Sequence, residues 1–217
     1  MTSASSRIYR FTRPQQNTET SKLKRTSRGW RDSCGSTLRR ASPQVRTWIS
    51  WEFSMTKLVE HFTGRPVHVD VLSEGRAPYF LDERSLFDTA QQKFGRVREI
   101  ALMDGDMPLL LARTLIPSAT AQGRNRRSLQ LGNKPLGQLL FQKKSPVWKT
   151  RQMVLLNRSR PLWKAVKRVL PAAPASLWGR RTMYLFRGHP LLVTEIFLPA
   201  LLQKTTPLTD LHQKFLF

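Results

Sequence analysis

The chain has 217 residues and carries 37 Lys and Arg against 14 Asp and Glu, a formal net charge of +23. Because 40% of its residues are hydrophobic, it can bury a core, which excludes a fully disordered basic protein. The single cysteine, Cys34, excludes an intrachain disulfide, so we expect a reducing compartment, the cytoplasm. The longest apolar stretch, 190–202, is shorter than the roughly 20 residues that a membrane-spanning helix needs.

The basic charge is concentrated at the two ends of the chain. The net charge is +8 over residues 1–44, +3 over 45–141 and +12 over 142–217. Residues 1–44 are rich in Ser, Thr and Arg, which predicts a disordered extension, with binding to nucleic acid or an acidic surface as the alternative. We expect one domain over 45–200, followed by a C-terminal tail over 201–217.

The first half of this domain predicts a helix, a strand and a second helix. Residues 54–64 predict a short amphipathic helix, because Ser54 can cap its first turn and Gly64 can end it. Its apolar residues have helical spacing: Met55, Leu58, Val59 and Phe62. Segment 66–72 alternates valines with polar residues, which is typical of a strand with one buried face. A further helix is expected over 83–94.

Two hairpins are the clearest predicted elements. Asp104 and Gly105 mark the turn of the first, and Gly188 marks the turn of the second. Their second strands, 108–117 and 190–199, both begin with Pro-Leu-Leu and both end with Pro. This likeness indicates either an internal duplication or two hairpins with the same turn chemistry.

Between the hairpins, Pro135 fits the first turn of a short helix that continues with Leu136, Leu139 and Leu140. Helices interspersed with antiparallel hairpins predict an α+β domain.

Glu195 is the one carboxylate from Met107 to Thr209, a run of 103 residues with 18 Lys and Arg. It lies in an apolar strand, on the face of Leu191, Val193 and Phe197, where a carboxylate is costly unless it is paired or hydrogen-bonded. The position predicts either a structural ion pair with an arginine or a pocket carboxylate that contacts a ligand hydroxyl or moves a proton.

Two arginines also lie on apolar strand faces, where each predicts either a structural ion pair or a contact with a ligand. Alternation places each on an apolar strand face, Arg98 with Ile100 and Leu102, and Arg113 with Leu109, Leu111 and Leu115. A buried guanidinium favours a planar carboxylate, which is either an internal partner such as Glu195 or an acidic ligand. The three charged residues together are consistent with a small, closed pocket for an acidic organic molecule.

Motifs of other chemistries do not occur in the sequence. The four histidines are far apart, and there is no metal-ligand spacing, nucleotide-binding loop or serine-hydrolase elbow. We therefore expect no metal and no nucleotide cofactor.

In six segments, taken in order, the chain resembles the chorismate lyase family. These are SMTK (54–57), REIAL (98–102), ARTLIP (112–117), GNKPLGQLLF (132–141), LWGRR (177–181) and GHPLLVTEIFLP (188–199). The resemblance implies a monomer with an antiparallel sheet, helices on one side and a ligand pocket covered by flaps. It also implies cofactor-free conversion of chorismate to 4-hydroxybenzoate and pyruvate, the start of bacterial ubiquinone synthesis, in the cytoplasm.

The same resemblance implies the site residues. Arg98 looks like the arginine that holds the ring carboxylate, and Glu195 looks like the carboxylate that faces the ring hydroxyl. Met55 and Leu136 look like binding positions that act through main-chain groups, and Arg113 is similar to an arginine that lines the route of the ligand. We expect Arg98 and Glu195 to be the catalytic pair, with Glu195 either hydrogen-bonding the hydroxyl or also accepting the proton.

Three segments depart from the family pattern: the extension 1–44, a basic insert 142–176 and the tail 201–217. Within the insert, residues 160–170 predict a basic amphipathic helix. The alternatives for it are a solvated surface helix, a weak contact with anionic lipid or nucleic acid, and a cover over the pocket.

Two other functions remain as alternatives. The first is a module on the same fold that binds an aromatic acid as an effector without turning it over, and the second is a nucleic-acid-binding protein. The presence of both Arg98 and Glu195, and the lack of a helix-turn-helix pattern in residues 1–50, favour the enzyme. Because the charge is concentrated outside the predicted core, we expect no specific nucleic-acid partner.

Overall fold

A computed structural model describes residues 29–32, 36–39, 41–87, 93–141 and 147–203. The strands are β1 (Arg31–Asp32), β2 (His68–Pro78), β3 (Phe94–Asp104), β4 (Met107–Ile116), β5 (Trp148–Asn157), β6 (Ser176–Phe186) and β7 (His189–Phe197). The helices are α1 (Ser36–Arg39), α2 (Pro43–Ser50), α3 (Met55–Thr63), α4 (Leu81–Arg84), α5 (Asn125–Ser128), α6 (Leu136–Leu140), α7 (Trp163–Val169) and α8 (Pro199–Leu202).

The strands form one antiparallel sheet in the order β1-β5-β6-β7-β4-β3-β2. The predicted α+β class with an antiparallel sheet is therefore confirmed. The two hairpin second strands, β4 and β7, lie side by side at the centre, with Ala112 opposite Glu195. This central position buries both strands on both faces, which explains their nearly continuous apolar sequence.

Both predicted hairpins are confirmed. The turn between β6 and β7 has positive φ at both central residues, 51° at Arg187 and 83° at Gly188, which matches the twist of the flanking strands. In the turn between β3 and β4, by contrast, only Gly105 has a positive φ, 59°, so the two turns differ in geometry. The structure does not decide between a duplication and similar turn chemistry as the origin of the likeness of the two second strands.

The helix predicted over 54–64 is also confirmed. Ser54 accepts a hydrogen bond from the Lys57 amide at 3.4 Å, and Gly64 ends α3 with a φ of 70°. The short helix after Pro135 is confirmed as α6.

The helices cover both faces of the sheet. On one face, α2 and α3 bury Trp48 and Leu58 in a cluster with Leu110 and Phe197. On the other, α7 buries Val166 against residues such as Ile196. The resemblance implied helices on one side, and α7 adds a layer on the second side, because its apolar residues pack into the core.

Helix α7 is the amphipathic helix that residues 160–170 predict. Its apolar side is buried and its basic side, with Lys164, Lys167 and Arg168, is exposed. The segment predicted as an insert, 142–176, also contributes β5, which pairs with β1 and β6 and is therefore an integral strand of the sheet.

The described residues of segment 83–94 do not form the single helix that was predicted there. Helix α4 ends at Arg84, and Phe94 already belongs to β3, while 88–92 lie outside the described residues. Phe94 lies opposite Pro78 of β2, so pairing in the sheet, rather than local helical spacing, decides its conformation.

Packing into the domain begins before residue 45, because Trp30 and Ala41 are buried. The predicted disorder of residues 1–28 and the predicted tail beyond residue 203 lie outside the described residues. Across the described ranges, none of the helices has both the length and the apolar character that crossing a membrane requires.

Gly179 of β6 is predicted to be sensitive to a side chain. A Cβ there would lie 2.5 Å from Cδ1 of Ile196 and 3.0 Å from the carbonyl oxygen of Glu195. We expect Gly179→Val to lower the free energy of unfolding by about 1–3 kcal/mol, as overpacked cores do. Gly75, in the edge strand β2, is the matched control, since nothing lies within 4 Å of its added Cβ. Urea unfolding of both variants checks this, and an equal loss in the two would contradict it.

Candidate functional site

A cavity of about 50 Å³ lies between the sheet and helices α3 and α6. Its lining is mostly apolar, and among the described residues its charged side chains are Arg98, Arg180 and Glu195. Met55 and Leu136 also line it. The structure therefore brings four of the five predicted site residues to one cavity.

Glu195 is held by an arginine of the neighbouring strand. Nε of Arg180 donates to Oε2 of Glu195 at 2.5 Å, and both side chains are more than nine-tenths buried. Oε2 is the carboxylate oxygen that this ion pair engages, and Glu195 also lines the cavity. The predicted ion pair with an arginine and the predicted pocket position therefore describe the same residue.

Arg180 in turn is fixed by the end of α2. Its Nη1 donates to the carbonyl oxygens of Trp48 at 3.1 Å, Ile49 at 3.2 Å and Trp51 at 2.5 Å. Carbonyl groups at the C-terminal end of a helix carry partial negative charge and stabilise a cation. Burial lowers the pKa of the Arg180 guanidinium, but the charge of Glu195 and its hydrogen bond, together with Tyr184 and Glu52, outweigh burial, and the net pKa is raised.

Arg98 is positioned by the loop before α6. Its two amino groups donate to the carbonyl oxygens of Gly132 at 2.5 Å and Lys134 at 3.2 Å, and its Nε lies 3.3 Å from Oε2 of Glu74. Burial lowers the pKa of this guanidinium, an effect that the charge of Glu74 opposes. Arg98 and Glu195 thus have separate partners. The prediction that Glu195 could be the internal ion-pair partner of Arg98 is wrong.

Met55 and Leu136 are the first residues of α3 and α6. The amide of a first helical residue has no acceptor within its own helix. Their place in the cavity lining is therefore compatible with the predicted main-chain contacts, which stay a prediction.

The structure does not bring Arg113 to the cavity. Strand alternation places it on the opposite face of the sheet from its neighbours Ala112 and Thr114, which do line the cavity. There it bonds Glu83 at 2.8 Å and Glu99 at 2.9 Å, with the ring of Phe80 4.0 Å from its guanidinium carbon. The expected pocket with Arg98, Arg113 and Glu195 is corrected in its second arginine, which is Arg180.

Sequence reasoning missed Arg180 as a site residue, although LWGRR was one of the motifs. Two consecutive arginines in a strand point to opposite faces, so one of them necessarily shares a face with the cavity. Arg181 occupies the other face, where it bonds Asp82 at 3.1 Å. Which of the two faces the cavity depends on the register between β6 and β7, and local sequence does not give it.

Within the described ranges, no three His, Cys, Asp or Glu side chains are grouped closely enough to hold a metal ion.

The fold and the site define a small-molecule-binding α+β protein, whose buried cavity offers two guanidinium groups and one carboxylate. Comparison with known proteins shows the family within this class. The family model described as "Chorismate lyase" matches residues 28–206, most of the chain. The chain therefore belongs to the chorismate lyase family.

Individual relatives agree with the family model. A "Probable chorismate pyruvate-lyase" of Methylococcus capsulatus is 34% identical over 158 residues, 73% of this chain and 96% of that protein. The "Chorismate pyruvate-lyase" of Cronobacter sakazakii is 37% identical over 154 residues, 70% of this chain and 79% of that protein.

Solved structures give a weaker likeness. The ligand-binding domain of a putative GntR-family transcriptional regulator from Bordetella bronchiseptica aligns with a TM-score of 0.45 and 13% identity, over 61% of this chain and 86% of that one. This score carries no conclusion about function.

The Arg180–Glu195 pair is predicted to matter for folding as well as for the site. We expect Arg180→Met to lower the free energy of unfolding by about 3 kcal/mol, because it leaves Glu195 buried without its counter-ion. Arg65→Met is the control: Arg65 pairs with Asp104, but its own side chain is 65% exposed. That substitution is expected to cost less than about 1 kcal/mol. Similar losses in urea unfolding of the two variants would contradict the assignment.

Proposed function

We propose that this protein is a chorismate lyase, which converts chorismate to 4-hydroxybenzoate and pyruvate. The observation that carries the proposal is that Arg98 and Glu195 line one buried cavity in a chain of this family. Arg98 lies on β3 and Glu195 on β7, two strand spacings apart, and Glu195 is two residues along β7 from Val193, which is in the row of Arg98. Their Cα atoms are therefore separated by roughly 12 Å. A ring that carries a carboxylate and a hydroxyl in para positions can lie between the two side chains.

The reaction requires orientation more than a reactive catalyst. Chorismate carries a ring carboxylate at C1, an enolpyruvyl ether at C3 and a hydroxyl at C4. Loss of the C4 proton and cleavage of the C3–O bond make the ring aromatic and release enolpyruvate, which takes up a proton at its methylene carbon to become pyruvate. Because aromatisation is strongly favourable, we propose that the protein binds, orients and desolvates the substrate and uses no cofactor.

Arg98 is the anchor for the ring carboxylate. A guanidinium in a buried cavity holds a carboxylate through strong, directional hydrogen bonds. Its own position is fixed by the carbonyl groups of Gly132 and Lys134, so it is preorganised for this task.

Glu195 is the group at the C4 end. Arg180 orients its carboxylate through Oε2, and Oε1 can accept a hydrogen bond from the ring hydroxyl or the proton from C4. The apolar side chains around it, among them Val193 and Leu110, exclude water and strengthen these contacts.

We further propose the setting that the family implies: a cytoplasmic monomer at the start of ubiquinone synthesis. A weak contact with anionic membranes would depend on charge, because the apolar side of α7 is packed in the core and its lysines are exposed.

Turnover of chorismate tests the proposal. We expect equal amounts of 4-hydroxybenzoate and pyruvate from the purified protein, and none of either from Arg98→Ala. Binding of 4-hydroxybenzoate without release of pyruvate would overturn the enzyme in favour of an aromatic-acid-binding module.

Glu195→Gln separates the two possible roles of the carboxylate. If Glu195 accepts the proton, kcat should fall about 100-fold or more, the range of general-base contributions. Glu60→Gln, outside the cavity lining on α3, is the matched control with unchanged kcat. Near-normal turnover by Glu195→Gln would contradict a base and leave the hydrogen-bonding role.

A further inference from the structure

Arg151 of β5 is a buried cation with an unused donor. It is 5% exposed, its Nε donates to Oγ1 of Thr182 at 3.2 Å, and its Nη1 donates to the carbonyl oxygen of Trp51 at 3.2 Å. Its Nη2 is buried and has no hydrogen-bond partner among the described residues. A buried N–H group of a charged side chain without an acceptor is costly, so this donor calls for an explanation.

The sheet register places Arg151 on the cavity face. Across neighbouring strands, Arg98 is opposite Thr114, Thr114 opposite Val193, Val193 opposite Thr182, and Thr182 opposite Arg151. Directly opposed residues share a face, and the first three members of this row line the cavity. Arg98 and Arg151 are therefore the two ends of one row, about four strand spacings or roughly 19 Å apart at Cα.

The surroundings of Arg151 have a surplus of positive charge. Arg180 and Arg151 donate to the same carbonyl oxygen, that of Trp51, but Glu195 forms its ion pair with Arg180 alone. No carboxylate among the described residues forms an ion pair with Arg151. Burial lowers the pKa of the Arg151 guanidinium and the charge of Arg180 lowers it further, while Tyr184, Glu195 and Glu52 oppose the shift without reversing it. An anionic ligand would relieve both the unpaired charge and the unused donor.

We propose that Nη2 of Arg151 binds the second carboxylate of the substrate, the one on the enolpyruvyl ether. This inference rests on the proposed lyase function. With the ring carboxylate on Arg98 and the C4 hydroxyl at Glu195, the ether on C3 lies next to C4 and therefore on the Glu195 side. That is the side on which Arg180 and Arg151 lie.

The same contact stabilises the leaving group. As the C3–O bond breaks, negative charge develops on the departing enolpyruvate, and a fixed cation beside its carboxylate lowers the energy of that state. The ring of Trp148, 5.1 Å from the guanidinium carbon, shields Arg151 on one side and keeps this interaction strong.

Comparison of two ligands tests the assignment, because 4-hydroxybenzoate lacks the ether carboxylate. In Arg151→Gln, we expect kcat/KM for chorismate to fall about tenfold or more, the loss of one charge-assisted hydrogen bond, while Kd for 4-hydroxybenzoate changes less than about twofold. Arg46→Gln is the matched control, an exposed arginine that donates to the carbonyl oxygen of Ala41, and both constants should stay unchanged. An unchanged kcat/KM, or an equal loss for both ligands, would overturn the proposal.

A second measurement uses the unmodified protein, so it does not depend on whether Arg151→Gln folds. The probes are 3-(carboxymethoxy)-4-hydroxybenzoate and its neutral amide, which have the same shape and differ in one carboxylate. We expect the unmodified protein and Arg151→Lys to bind the acid about tenfold more tightly than the amide. Equal affinities in the unmodified protein would overturn the role of Arg151.

Failure of the lyase function itself is distinguishable from failure of this inference. If the unmodified protein releases no pyruvate from chorismate, the proposed function fails. If it does release pyruvate and Arg151→Gln does so with the same kcat/KM, the role of Arg151 fails alone.

Discussion

The buried ion pair between Arg180 and Glu195 is the interaction on which the site depends. A carboxylate inside a central apolar strand needs a counter-ion, and the neighbouring strand supplies it. The buried guanidinium in turn needs acceptors beyond that carboxylate, and the end of α2 supplies three carbonyl oxygens. One carboxylate therefore determines where a helix end lies over the sheet, and with it one wall of the cavity.

The two faces of the sheet differ in how their buried charged side chains are paired. On the α7 face, Arg113 pairs with Glu83 and Glu99, Arg168 also pairs with Glu99, and Arg181 pairs with Asp82, so three arginines meet three carboxylates. On the cavity face, Arg180 is matched by Glu195, while Arg151 forms no ion pair with any described carboxylate. Buried positive charge without an internal partner is what a binding site for an organic anion requires. The asymmetry between the faces supports the proposal that the ligand binds on the cavity face.

Sequence patterns predicted the local elements and part of the site. The hairpins, the capped helix α3 and the shared face of Arg98 with Ile100 follow from turn residues and from alternation along a strand. Alternation does not say which face becomes a cavity, so Arg113 was expected beside Arg98 although it lies on the opposite face.

Local sequence patterns did not predict which residues form ion pairs with the buried charged residues. Glu83 is 30 residues from Arg113, and Arg180 is 15 from Glu195, so these pairs depend on which strands and helices meet. The six family motifs supplied what spacing could not, because they marked five site residues, of which Arg98, Met55, Leu136 and Glu195 line the cavity and Arg113 does not.

The most direct test of this account is the structure of the protein with 4-hydroxybenzoate bound. The account predicts that the ligand carboxylate lies within hydrogen-bond distance of the Arg98 guanidinium and that its phenol oxygen lies within the same distance of the Glu195 carboxylate. A ligand bound in the reverse orientation, with its carboxylate at Arg180, or bound outside this cavity, would contradict it.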